Sequence, residues 1–487
     1  MPGIRPGRLG ARVGGERDQK GHAMTYVIDQ DDLARLVAQV AGPVLVPGDD
    51  GYRTETAAWN AALVQRPAVA VGATSVADVA AAVRFASERA LPVAMLATGH
   101  GAVLASDGAV MINLSRINGI SVDAKSGTAT IGAAVRAQQL IDAAAQVGLA
   151  PLAGSSPNVG VVGYVLGGGL SPSLGRVHGF AADHVRDAEI VCADGTPRRV
   201  DPDHDPDLFW AIRGGQGNFG VVTSLTIDLV PLTRLYGGGL YFSGEHVEQV
   251  LDAFRQLAAA APPELTLSVA FMRLPSTPSV PEPLRDRFAV HVRITYLGPA
   301  ADGQRLVADL RAAAPTLIDT VAEMPYTAIA TVHADPVDPV ATYEMSSLLR
   351  EFPVAAARAL VAVAGPGVDS PVAMIEVRQL GGALAGEPRV PNAVGNRDAA
   401  FQLSAAAFGA PGMAERFRTP LAELAEALRP WATGRRQANF LTGYDTTVEA
   451  VARAYEPDTY RRLVEIKRAF DPHNTFRVNH NIAPPRR

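Results

Sequence analysis

The chain has 487 residues, of which 48% are hydrophobic and 19% charged, and a net charge of −5. That length holds two or three domains, and that charge balance leaves no electrostatic footprint for nucleic acid or an anionic membrane. The single cysteine, Cys192, excludes an internal disulfide and any cysteine-built metal cluster, so no metal site is expected and a cytoplasmic location fits.

Residues 1–24 are rich in Gly and Arg and lack the apolar stretch of a secretory signal. They are expected to be a disordered leader, with Met24 an alternative start. No run approaches the length of a membrane span. Leu33, Leu36, Val37 and Val40 are spaced for a helix between Asp29 and Ala41, with Asp31 or Asp32 as its cap. Ser75 caps an Ala-rich helix that follows a short apolar strand, and another strand at Leu91 to Leu96 completes an α/β unit ending in Ala97-Thr98-Gly99-His100-Gly101-Ala102. Three short strand candidates follow (GAVMINL, ISVDA, TATIGA), then a helix from Gln138 to Val147 closed by Gly148.

From Gly154 to His178 glycine accumulates, with Gly160, Gly163, Gly167, Gly168 and Gly169 inside ten residues. Val159, Val161, Val162, Val165 and Leu166 keep this stretch apolar, whereas a surface turn would carry Ser, Asn and Asp. It reads as a buried loop whose amides face an anionic ligand. Asp194-Gly195 marks a hairpin. The acidic run Asp201 to Asp207 lacks the Gly and Glu of a calcium loop, so it reads as a turn capping the helix DLFWAIR. The string GQGNFG from Gly215 to Gly220 matches the dinucleotide fingerprint in letters only, because a helix precedes it and a strand follows, the reverse of the Rossmann order.

Beyond Pro231, Thr266 to Arg273, Phe288 to Leu297 and Val372 to Leu380 read as strands, and Gly303 to Ala313 and Val354 to Val363 as helices. This is the pattern of a sheet covered on one face. A long helix from Gly412 leads to Trp431, and after the helix TYRRLVEIKRAF the chain closes on a polar, Asn-rich tail expected to dock through Phe476 and Ile482.

Together, TGH at Thr98 to His100, GVVGYVLGGG at Gly160 to Gly169, DPDLFWAIRGGQGNFGVVT at Asp205 to Thr223 and YRRLVEIKRAFDPHNTFRVNHNI at Tyr460 to Ile482 resemble the berberine bridge enzyme-like branch of the vanillyl-alcohol oxidase family. The matches are collinear over residues 45–232 and 435–483, with IEVRQLGGA at Ile375 to Ala383 between them. The resemblance implies an α+β protein: a PCMH-type FAD-binding domain (residues 25–232), a substrate domain with an antiparallel sheet covered by helices (233–434), and a C-terminal segment (435–487) returning to the FAD domain. It carries cofactor contacts onto Thr98, Gly99, His100 and Gly101; Ser156, Val159, Gly160, Gly163, Tyr164, Gly168 and Gly169; Gly217, Asn218, Gly220 and Val221; and Asn479 and Asn481.

On the same ground, His100 is expected to be joined to the flavin 8α-methyl, although a lone histidine read by itself is a core or surface residue. Relatives with a second link use the Cys of a G-x-C-P sequence. Here Ser156 holds that place, so one link is expected. Val159 stands where relatives gate oxygen, and a core valine would look the same. The family's basic tyrosines are replaced by Gln437 and Leu380. Period-two alternation puts Glu376 and Arg378 on one strand face, as a catalytic pair or a structural ion pair, and gives Gln437 and Asn439 a shared face toward the substrate. His333 and His480 are alternative bases. The implied activity is an FAD-dependent oxidase acting on an alcohol, sugar or secondary metabolite with dioxygen as acceptor. A dehydrogenase using another acceptor, or a flavin-binding protein without oxidase activity, stays open.

Overall fold

Strict alternation of apolar and polar residues, as in Phe288-Ala289-Val290-His291-Val292-Arg293-Ile294-Thr295, dictates a sheet with one dry face and one polar face. In the computed structural model, which describes residues 12–17 and 23–485, this segment is the strand Arg287–Tyr296 near the centre of the largest sheet. The order across that sheet is Thr316–Asp319, Arg234–Ser243, Arg287–Tyr296, Leu265–Leu274, Met374–Gln379, Phe401–Gly409 and Ala341–Leu349, with Ala322–Pro325 also paired to Arg234–Ser243. Every pairing is antiparallel. Val269 lies opposite both Val292 and Val377, and with Leu267, Phe271, Val290, Ile294, Ile375 and Leu403 it packs under the helices Val247–Ala260, Val354–Ala364 and Ala414–Leu428. Each such side chain contributes roughly 1.5–3 kcal/mol by leaving water. The other face carries Ser268, His291, Arg293, Ser346, Glu376 and Arg378, all buried.

The N-terminal part holds two smaller sheets. In one, Val69–Gly72, Val110–Asn113 and Val93–Leu96 run parallel, with Val44–Leu45 antiparallel at the edge. The crossover helix Val76–Glu88 starts where Ser75 Oγ accepts the Asp78 N–H at 3.2 Å. The other sheet is antiparallel, ordered Pro197–Val200, Val185–Val191, Val221–Asp228, Thr128–Gly132 and Ile120–Asp123.

Several local expectations are revised. The helix Gln30–Gln39 is capped by Asp29, which accepts the Asp31 N–H, while Asp32 is drawn off by an ion pair with Arg89 at 2.8 Å. Residues 303–313 form two short helices, Ala300–Leu306 and Ala308–Ala312, rather than one. In the expected leader, Arg12–Arg17 pairs antiparallel with Ala23–Val27, so this part is a two-stranded ribbon; the rest of the leader lies outside the described residues. The glycine-rich stretch is not all loop: Val161–Leu166 is a short helix, because Val161, Val162, Val165 and Leu166 share one buried side of a helical turn. No helix among the described residues is long and apolar enough to cross a membrane.

The tail docks through a buried cation. Lys467, on the helix Pro457–Phe470, donates to Asn218 O, Asp471 Oδ2 and Phe476 O at 2.7, 2.7 and 3.0 Å. Asn218 closes the join, accepting the Ile482 N–H at 2.9 Å and donating to His480 O at 3.1 Å.

Candidate active site

His100 follows the strand Val93–Leu96 in the turn after Gly99, whose φ of +77° suits glycine. Its imidazole stacks on Trp59 with centroids 4.2 Å apart and planes 12° from parallel. Nδ1 lies 3.2 Å from Thr98 Oγ1, which also accepts the Gly160 N–H at 3.2 Å, so a single hydroxyl joins this turn to the glycine-rich stretch. Nε2 is buried without a partner. Burial, reinforced by Arg136, pushes the imidazole down to about 4. The ring is therefore neutral near pH 7, with one ring nitrogen left without a partner.

Buried polar atoms without partners are uncommon and mark a missing ligand or strain. Among them are five on residues expected to touch a cofactor: His100 Nε2, Ser156 Oγ, Tyr164 Oη, Asn479 Oδ1 and Asn481 Oδ1. Gly101 and Gly163 are exposed, and a Cβ added at either would meet nothing within 4 Å, so both leave open space that a bound group can fill. Gly168 and Gly169 take φ of +116° and +75°. Val159 and Tyr164 border a small apolar cavity, about 10 Å³, with Ala137, Leu140, Leu152 and Val165.

Other expected contacts also have structural work. The side chain of Asn218 is spent on the tail. Gly220 is small because a Cβ would press on Ile190 and the Val191 carbonyl at 2.6 Å, and Val221 is fully buried in the core beside them. Gly217 faces Met95, and its carbonyl accepts from Asn479 Nδ2 at 3.1 Å. Gln437 and Asn439 do not share a strand face. Ala438–Phe440 is a 3-10 turn, so period-two alternation does not apply. Gln437 donates to Gly395 O and Asn396 O at 3.1 and 3.3 Å. Asn439 clamps the glycine turn, accepting the Gly169 N–H at 2.6 Å and donating to Tyr164 O at 3.0 Å. The Asn439 amide is thus held on both its atoms, and the Gln437 amide nitrogen on two carbonyls.

Glu376 and Arg378 do share a face, with their carboxylate and guanidinium 2.9 Å apart, and Glu376 is paired at 2.9 Å with Arg293 as well. These cations, Arg378 first, hold Glu376 well below the usual carboxylate range despite its burial, so it is an ion-pair hub and a poor proton acceptor. Burial keeps His291, stacked on Tyr241 at 3.9 Å, and His333 toward neutrality. His480 is tied to Thr442 O at 2.9 Å. Glu344 is different. Register places it on the polar sheet face, since Glu344 opposes Ala406 and, two residues on, Ser346 and Glu376 both oppose Ser404. It is solvent-accessible, forms no ion pair among the described residues, and is pushed up by the surrounding protein and Asp335. Sequence reasoning missed Trp59, Arg293 and Glu344; the alternation in Arg287–Tyr296 was the available signal for Arg293.

A neutral histidine, two hydroxyls and two amide oxygens without partners, with open space at two bare glycines, fit an uncharged planar ring system that carries N–H and hydroxyl donors, and no cluster among the described residues fits a metal ion. Fold and site define an FAD-dependent oxidoreductase. Residues 67–201 match the FAD binding domain model and residues 434–483 the berberine and berberine-like model. The chain is 31% identical over 465 residues to (R)-6-hydroxynicotine oxidase of Paenarthrobacter nicotinovorans, spanning 91% of this chain and 97% of that one. The crystal structure of 6-hydroxy-D-nicotine oxidase from Arthrobacter nicotinovorans superposes with a TM-score of 0.78 at 27% identity, covering 92% and 98% of the two chains. Chitooligosaccharide oxidase shares the fold, with a TM-score of 0.79 at 21% identity over 93% of this chain and 100% of the other. The chain belongs to the berberine bridge enzyme-like FAD-linked oxidoreductases.

Proposed function

We propose that this protein is an oxidase whose FAD is held by one covalent bond, from His100 to the flavin 8α-methyl, and which oxidises an organic small molecule with dioxygen as electron acceptor. The observation carrying this reading is His100 itself: neutral, fixed between Trp59 and Thr98, with a buried Nε2 that has no partner. FAD, when bound, would supply a hydride acceptor that dioxygen can reoxidise. Ser156, Asn479 and Asn481 offer it polar atoms, and Gly101 and Gly163 give it room. Ser156 has no sulfur for a second link.

The polar face of the large sheet forms the substrate side. Glu344 takes the proton the substrate gives up, since the neighbouring Glu376 is neutralised by two guanidiniums and Glu344 is not. The full-length similarity to a named hydroxynicotine oxidase supports an oxidase acting on a small molecule. The test is a set of two measurements on purified protein: whether the yellow colour stays with acid-precipitated polypeptide, and whether anaerobic addition of 6-hydroxynicotine, oligosaccharides or aromatic alcohols bleaches it. Colour released by acid removes the covalent link. Flavin reduced by a substrate but stable in air removes the oxidase and leaves a dehydrogenase.

A further inference from the structure

We infer that the substrate carries a carboxylate, received by a buried basic pocket at one end of the polar sheet face; this rests on the oxidase reading for what is bound, though the pocket stands by itself. The pocket is small, with about 10 Å³ of free space, room for one small polar group, and it is lined by Thr266, Ser268, Arg293, Thr295, His333 and Arg378 and by Pro172 of the glycine-rich segment. It thus lies between the sheet and the chain that follows the triple glycine, on the side of the sheet that Glu344 shares.

Charge decides what enters. Arg293 and Arg378 bring two positive charges and Glu376 one negative, while burial keeps His291 and His333 toward neutral. The cluster keeps one uncompensated positive charge on buried side chains, which is costly unless a counter-charge arrives. Asp335 and Glu344 are the other acids toward this face, and neither forms an ion pair with either guanidinium. Unused donors point the same way. Ser268 Oγ is buried without a partner, and Arg293 Nη1, 2.9 Å from Glu376 Oε1, makes no directed hydrogen bond. A carboxylate supplies the one negative charge and the acceptors these groups lack. A phosphate dianion would overshoot the charge.

Acetate and benzoate test this, with neutral benzamide and inorganic phosphate as controls, titrated into the holoenzyme. Binding is read from the flavin absorption spectrum and separately from the thermal unfolding midpoint, which does not need the flavin. The expected result is that a carboxylate binds at least tenfold more tightly than benzamide and phosphate. Ser268→Ala should weaken it roughly tenfold, the usual worth of a hydrogen bond to a charged group, and Glu376→Gln should tighten it by raising the local charge. Arg378→Met should abolish binding, and if that variant fails to fold, Ser268→Ala carries the test. Carboxylates bound no better than benzamide, or bound equally by the wild type and Ser268→Ala, overturn the proposal. Tighter phosphate binding replaces it with a phosphate site. A colourless protein that still selects carboxylates would remove the oxidase reading and leave the pocket.

Discussion

Lys467→Met is expected to be among the most damaging single changes outside the cleft. Lys467 and Asp471 are both fully buried with their charges 2.7 Å apart, and the ammonium also satisfies two carbonyls, of Asn218 and Phe476. Methionine fills similar space but strands the carboxylate. Breaking a buried pair from one side costs about 3–5 kcal/mol. The Thr475 and Phe476 N–H groups still donate to Asp471, at 2.7 and 2.9 Å, which places the loss near the lower figure. If the N-terminal sheets and tail unfold together, a loss of about 3 kcal/mol lowers the midpoint by roughly 6–12 °C in calorimetry. The double change Lys467→Met with Asp471→Leu should recover much of it, because the stranded charge is gone. A single variant within about 1 kcal/mol of wild type, or a double variant worse than the single, would refute the reasoning. Since Asn479 and Asn481 ride on this tail, the single variant should also lose flavin faster on dialysis if covalent attachment is blocked.

Gly163→Ala should leave flavin-free protein as stable or up to about 1 kcal/mol more so, since the residue is helical and its Cβ meets nothing, yet weaken flavin uptake measured by fluorescence quenching. Asn439→Ala orphans the Gly169 N–H and the Tyr164 carbonyl, for about 2–4 kcal/mol in urea unfolding, with flavin retention reduced. In flavin-free protein, His100 sits near 4 against an ordinary value of 6.5, so unfolded chains take up its proton first. Its contribution is full above about pH 6.5 and is lost as the pH falls toward 4, amounting to about 3 kcal/mol that His100→Asn should not lose in urea titrations at the two pH values. With a substrate that bleaches the flavin, kcat/KM should rise with pH as Glu344 deprotonates, from a midpoint above that of an ordinary glutamate, and Glu344→Gln should erase that limb while leaving flavin reoxidation unchanged.

What was legible in the sequence was set by short-range physics. Ser75, the Asp194-Gly195 turn and the alternation through Met374–Gln379 each fix local geometry within a few residues, and the elements they specify are present. Contacts across long separations were not legible. Asn439 looked like a strand residue facing substrate, but its partners lie 270 and 275 positions away on the glycine turn. Glu376 could be placed on a face, whereas its second partner, Arg293, comes from a strand that is not even adjacent to its own. Trp59 lies in a short stretch without periodicity, so nothing local announced that it would stack on His100.

The central claim is that His100 holds the flavin. Denaturing gel electrophoresis of the purified protein, viewed under ultraviolet light after performic acid treatment, tests it directly. Fluorescence should travel with the polypeptide of the wild type and be absent from His100→Ala, which should still bind FAD reversibly. A wild-type band without fluorescence, or a fluorescent band in His100→Ala, would contradict the account.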